Sequence, residues 1–260
     1  MNHDLSLLYE WLCANRLSLN VSKTEFIIFR PPRKNLPTRI TLKIKNTKIF
    51  ESLKVKYLGV ILDTRLKWKH HINEVSKKLN RAVGMFYKIR DNCTAEVLKS
   101  LYYSLFYSHL SYGIPVWGNC SDFQINKLRL AQKKALRAID SADFNAPTKP
   151  ILKKLDILDL NDIIKHQTAS LMWDYDHNNL PPSLAKMFTP RTAIHNRSLR
   201  NVQNNELYTA KFYKNKYGHN YFAHQGALLF NELKTYIFYS SSSTKGTFLN
   251  NLKKELISKD

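Results

Sequence analysis

Leu5, Leu8, Tyr9 and Leu12 recur at helical spacing and predict an amphipathic helix over residues 4–15. Asn15-Arg16 is its stop, because Asn tolerates the left-handed conformation at helix ends. Thr24 to Phe29 is rich in β-branched and aromatic residues and runs into Pro31-Pro32, so it predicts a strand. Residues 39–45 alternate, with Ile40, Leu42 and Ile44 on one face and charge on the other, which predicts a half-buried strand. A turn at Asn46-Thr47 leads to Ile49-Phe50. Lys56 to Leu62 then reads as a further strand, in which Gly59 marks a bulge or a close backbone approach. These residues predict a helix packed on a small antiparallel sheet.

From Trp68 the period becomes helical. Ile72, Val75, Leu79, Val83 and Phe86 form one stripe over residues 68–90. At about 100° per residue, His70, Lys77, Arg81 and Lys88 share the opposite face. Residues 95–112 are apolar on most sides and predict a helix inside a bundle, broken by Gly113 and Pro115, with Trp117-Gly118 in a loop. Residues 122–139 place Ile125, Leu128, Ala135, Leu136 and Ile139 inward, with Lys127, Lys133, Lys134 and Arg137 outward. Asp159 to Tyr175 predicts another helix, with Ile163, Ile164 and Leu171 inward. Residues 191–220 lack a clear period and read as an extended connection or short strands. Phe222 to Phe238 and Phe248 to Ile257 read as closing helices separated by a Ser240–Ser243 linker. The expected fold class is α+β: a small antiparallel sheet with a packed helix over 1–65, a mainly α-helical domain over 66–145 and a helical C-terminal region over 146–260.

Charge changes this picture from a fold to a partner. The 260 residues carry a net +21, and the excess is spread along the chain. Basic residues outnumber acidic ones 11 to 4 before residue 61, 15 to 7 over 61–150 and 15 to 9 thereafter. No single tail accounts for it. A folded chain with such a balance faces a polyanion, nucleic acid first and an anionic surface second, or has a generally basic solvated surface. Three scattered cysteines do not make a disulfide framework and point to a reducing, intracellular compartment. No run approaches the roughly 18 apolar residues of a membrane span.

The usual catalytic constellations are missing. There is no adjacent pair of aspartates of the kind that holds two divalent metals, no Cys-x-x-Cys, no His-Glu-x-x-His and no glycine-rich phosphate loop. Asp174 and Asp176 end a helix, where solvated carboxylates are the plainer reading. What remains is basic and aromatic. Lysines and arginines on helices can follow a phosphate backbone regardless of sequence. Tyr57, Trp68 and Trp117 either stack on bases or pack in the core.

The order of motifs supplies a resemblance. Trp11, Asn15 to Thr24 (NRLSLNVSKT) and Phe29 come first, followed by Val55 to Asp63 (VKYLGVILD) and then Leu66, Trp68, His71 and Ile72. Leu101-Tyr102, Leu110, Tyr112-Gly113, Val116 to Gly118, Gln132 to Lys134 and Arg137 complete the series. In that order they resemble the reverse transcriptases of non-LTR, jockey-like retrotransposons, from just after the catalytic turn onward. The resemblance implies that 1–65 is the end of a polymerase palm, 66–145 a thumb and 146–260 a C-terminal tail. Lys23 would be the family's lysine near the leaving pyrophosphate, or simply a residue of the loop before a strand. Lys56, Tyr57 and Gly59 would belong to the region that positions the primer end. His70, Lys77, Arg81, Lys88, Lys133, Lys134 and Arg137 would lie along the template–primer duplex. The family's Asp-Asp turn and its first metal-binding Asp have no counterpart in these residues. The implied reading is therefore part of an RNA-directed DNA polymerase that binds an RNA/DNA template–primer duplex without sequence preference. It has no catalytic or metal residues of its own and is inactive alone, with Mg²⁺ needed only by an intact polymerase. An upstream polymerase fragment is a further expected partner, and no membrane is. The competing readings are a basic helical module for an acidic partner or membrane surface, and a non-functional retroelement remnant.

Overall fold

A computed structural model describes residues 1–31, 40–189, 213, 216–233 and 244–259. It divides into two compact units, Met1–His71 and Ile72–Asp260.

In the first unit, α1 (Asn2–Ala14) lays Leu5 and Tyr9 against a small sheet. Leu8, expected inward, is exposed, while Leu12 is half-buried. The sheet consists of β1 (Glu25–Phe26), β2 (Leu42–Ile44) and β3 (Thr47–Glu51), in the order β1-β3-β2. Leu42, Ile44 and Ile49 are its buried residues, as the alternation predicts. The β2–β3 hairpin turns on Lys45-Asn46, one residue earlier than expected, with Lys45 at φ 52°. β1 pairs with β3 in parallel, so the sheet is mixed rather than wholly antiparallel. The long connection between β1 and β2 gives the chain room to come back in the same direction.

Residues 56–62 do not form one strand. β4 (Lys54–Tyr57) and β5 (Val60–Asp63) are the arms of a separate antiparallel hairpin, with Tyr57 opposite Val60. Leu58 (φ 45°) and Gly59 (φ 83°) make the turn. Two consecutive left-handed residues are the pattern of a type I′ hairpin, whose twist matches that of its strands. Gly59 supplies the second without strain, so it reverses the chain instead of bulging a strand.

The second unit is helical. α2 (Lys69–Ile89), whose first turn belongs to the first unit, buries Ile72, Val75, Leu79, Val83 and Phe86, all five members of the expected stripe. The next helix runs as α3 (Ala95–Leu101), a segment over Tyr102–Tyr107 in which the hydrogen bonding widens to i→i+5, and α4 (Ser108–Ser111). Leu98, Tyr102, Phe106 and Leu110 are its buried residues, four apart throughout. In a regular helix that spacing drifts by about 40° per step, and the widened turn absorbs part of the drift. Only this stripe is enclosed. Val97, Tyr103 and Leu105 are exposed, so the helix covers the bundle from one side rather than running through its middle.

Trp117, placed in a loop by the sequence, closes the short α5 (Ile114–Trp117) and is fully buried, its indole N–H donating to the Tyr112 carbonyl at 2.9 Å. Gly118 follows because a Cβ there would stand 2.6 Å from the Ile114 carbonyl oxygen. α6 (Asp122–Ile139) buries the five expected residues and also Gln132, whose amide donates to the Tyr102 hydroxyl (3.0 Å) and the Leu158 carbonyl (2.9 Å).

α7 (Thr148–Leu155) leads to α8 (Leu160–Asp176), begun by the Asp159 side chain accepting from the Asp162 amide. α8 buries Ile163, Thr168, Ala169, Met172 and Trp173, while Ile164 and Leu171 are only half-buried. After α9 (Pro182–Ala185) and α10 (Lys216–His219), α11 (Phe222–Leu233) and α12 (Lys245–Lys259) pack on α8. Met172, Phe188, Ala227 and Phe230 form one cluster, and Trp173 stacks on Phe248. The Ser240–Ser243 linker, the end of the helix expected to reach Phe238 and most of 191–220 lie outside the described residues. The α+β class and the helical C-terminal region are as the sequence implies.

Candidate nucleic-acid interface

In the first unit the candidate residues sit on loops and turns. Asn20 organises its own loop: its side-chain oxygen accepts from the Lys23 amide and the Ser22 hydroxyl, and its carbonyl accepts from the Thr24 hydroxyl. The fold uses Asn20, Ser22 and Thr24, while the Lys23 side chain is exposed and makes no ion pair among the described residues. Lys56, Tyr57 and Gly59 stand exposed at the tip of the β4–β5 hairpin, Tyr57 by 65%. Beyond β5, the Asp63 carboxylate accepts from three backbone amides, those of Arg65, Lys67 and Trp68, at 3.0–3.2 Å. This pins the segment that enters α2, where Leu66 (φ 47°) and Trp68 (φ 63°) are left-handed. Trp68 is half-buried, edge-on to the buried His71 ring, whose Nδ1 accepts from the Ile61 amide at 3.4 Å. Arg65, Lys67 and Lys69 are exposed cations here that the periodicity argument missed. Their signal was basic residues at every second position beside the aspartate. His70 is exposed on the first turn of α2.

In the second unit, Lys77, Arg81 and Lys88 all stand exposed on α2, opposite its buried stripe. Glu74 shares that face and pairs with Lys77 at 2.8 Å, and Lys77, with Arg81 and Lys78 adding, holds its carboxyl below the usual glutamate range. Lys77 is thus the most compensated cation of the ridge. α6 runs beside α2, with the Lys127 ammonium donating to Asn73 at 3.1 Å. The outward side of α6 is not purely basic: Phe123 (72% exposed) and Leu130 (53%) alternate with Lys127 and Lys134. Lys134 is exposed and Lys133 half-buried, whereas the Arg137 Nε–H donates to the Ala146 carbonyl at 2.9 Å and holds the turn after α6. Trp117 is in the core and has no face for a base.

Among the described residues, no three His, Cys, Asp or Glu side chains converge as a metal ion would need. Cys13, Cys93 and Cys120 are free thiols, and burial pushes the Cys120 thiol up to about 11. No described helix is long and apolar enough to cross a membrane.

Comparison with known proteins adds the decisive observation. The chain is 23% identical over 187 residues to the probable RNA-directed DNA polymerase from transposon X-element of Drosophila melanogaster, covering 70% of this chain and 20% of that protein. It is 30% identical over 156 residues to the RNA-directed DNA polymerase from mobile element jockey of the same species, covering 56% of this chain and 17% of the relative. Its homologues are mobile-element polymerases. The jockey polymerase of Drosophila funebris is 25% identical over 185 residues, covering 70% of this chain and 20% of its own length. The chain thus spans about a fifth of the length of these polymerase relatives. No family model matches it, and no solved structure does.

Proposed function

We propose that this chain is the template–primer-holding part of a mobile-element RNA-directed DNA polymerase, with residues 1–65 as the end of the palm, 66–145 as the thumb and 146–260 as a helical tail. One observation carries the reading: α2 commits one face wholly to the core and leaves Lys77, Arg81 and Lys88 in water on the other, in a chain whose homologues are such polymerases. From Lys77 to Lys88 the ridge runs about 16 Å, long enough to follow several phosphates of one strand. The Lys56–Tyr57 hairpin tip offers a cation and an aromatic ring to a primer end, and Lys133, Lys134 and His70 add charge. Binding by such a surface is sequence-independent, since phosphate contacts position a duplex without reading it. The 260 residues contain no adjacent aspartate pair, so the chain alone binds nucleic acid and does not extend a primer.

Titration of a fluorescent RNA–DNA hybrid over salt tests this. With about four phosphates neutralised, affinity falls roughly a hundredfold between about 50 and 200 mM salt. The Lys77→Glu, Arg81→Glu, Lys88→Glu triple variant lowers the log–log salt slope by about 3. A slope unchanged by the triple variant, or primer extension above background, overturns the reading. Tighter binding to acidic vesicles that a hybrid cannot displace would favour the membrane-surface alternative instead.

A further inference from the structure

Where α2 and the turn after α6 approach one another, they leave a concavity of about 550 Å³. Its walls combine four kinds of chemistry. Tyr87, half-buried, carries the Arg90 guanidinium 5.2 Å from its ring centre, and Phe144 stands at the rim with 70% of its surface in water. Lys134 supplies a second cation, exposed and without an ion pair among the described residues. Asn80 and Asp143 supply a carboxamide and a carboxylate. Gly84 also lines the concavity, and a Cβ there would meet nothing within 4 Å, so the wall is open where a flat ring could enter. The Arg90 Nε–H is buried without a hydrogen bond; the Asp91 carboxylate lies 3.5 Å away as an ion pair.

We infer that this concavity binds one unpaired nucleotide of a single-stranded extension next to the duplex. Its base stacks on the Phe144 and Tyr87 rings, its edge meets Asn80 and Asp143, and its phosphate meets Lys134. The lining selects this ligand over other anions. A carboxylate-rich peptide has no flat ring for the aromatic walls and would meet Asp143 with like charge. A duplex is far too wide to enter. Aromatic faces beside cations in a groove are how proteins hold single strands without reading sequence. The inference rests on the nucleic-acid reading above and narrows it, adding a strand end to the sequence-independent grip on the duplex.

The test measures binding of the full chain to a blunt RNA–DNA hybrid and to the same hybrid with a short single-stranded extension. The extension tightens binding about fivefold or more, the usual strength of one stacked base. Tyr87→Leu and Phe144→Ala each take a stacking ring from the concavity while leaving the Lys77, Arg81 and Lys88 cations in place; each removes the advantage and leaves blunt-hybrid affinity unchanged, with a thermal melt confirming the fold. An extension that adds nothing to the unsubstituted chain, or an advantage that survives both substitutions, overturns the inference. Blunt binding without an advantage sinks this inference alone. Binding that requires the extension sinks the duplex reading alone. No binding to either hybrid sinks both.

Discussion

The two units bury their apolar residues very differently. Among the described residues of 1–71, only Leu42, Ile44 and Ile49 are buried hydrophobics, and none of the 13 residues of α1 is buried. Trp11 is 58% exposed, and Leu7, Leu17, Phe29, Phe50, Leu53, Tyr57 and Leu58 are exposed as well. The helical unit instead encloses Tyr102, Phe106, Trp117 and whole stripes of α2 and α6. A core of three aliphatic side chains holds little by itself, since small units bury too small a share of their surface. The helical unit has an extensive core of its own beneath the cations of α2 and α6. The sheet unit supplements its small core with polar devices: the Asn20 loop, the two hairpins, the Asp63 carboxylate, and the Asn2 side chain, which accepts from the Lys43 amide and donates to the Thr41 carbonyl.

Leu79→Ala sharpens this contrast most. Leu79 is fully buried, so its truncation costs about 2–5 kcal/mol in urea unfolding, and hydrogen exchange accelerates in α2 and α6 before it does in β1–β3. A cost under about 1 kcal/mol would mean that the helical core does not depend on this stripe. Asp63→Ala has the next largest effect. It leaves three backbone amides without their acceptor and costs about 1–2 kcal/mol, with faster exchange confined to residues 63–71. Equal acceleration in α6 would break the separation between the units.

The smallest effect is one of pH. His166 on α8 lies half-buried, with Nε2 3.2 Å from the Leu249 carbonyl and Nδ1 buried without a hydrogen bond. Burial, with nearby Lys253 acting the same way, holds its pKa below the usual 6.5 despite the Leu249 contact. Below pH 6.5 the unfolded chain takes up a proton at this site that the folded chain does not, so stability falls as the solution is acidified. The melting temperature therefore drops from about pH 7.5 to about pH 5.5, and His166→Gln flattens the slope. A slope unchanged in that variant would assign the effect elsewhere, for instance to His109, whose pKa burial and Lys78 also lower.

The stripes of α2 and α6 were legible because their period repeats many times. In α2 and α6 every residue expected inward is buried, and the cations opposite are exposed or half-exposed. Short elements gave no such averaging. Residues 56–62 read as one strand because Leu58 is apolar and strand-compatible, and nothing in its identity announces φ 45°. Trp117 and Gln132 belong to the motifs behind the resemblance, yet both serve packing: one fills the core and the other ties Tyr102 to Leu158. Of the candidate site, the placement of the cations was legible and their state was not. Partners such as Glu74 for Lys77 and the Ala146 carbonyl for Arg137 become visible only in three dimensions.

The Asp63 turn also bears on electrostatics. A carboxylate amid Arg65, Lys67 and Lys69 would ordinarily draw one of those side chains into an ion pair. Here the backbone amides of 65, 67 and 68 solvate it instead, and none of the three cations has an ion-pair partner among the described residues. The turn satisfies its only acid with uncharged dipoles, so all three side-chain charges remain available to an anion from outside the chain.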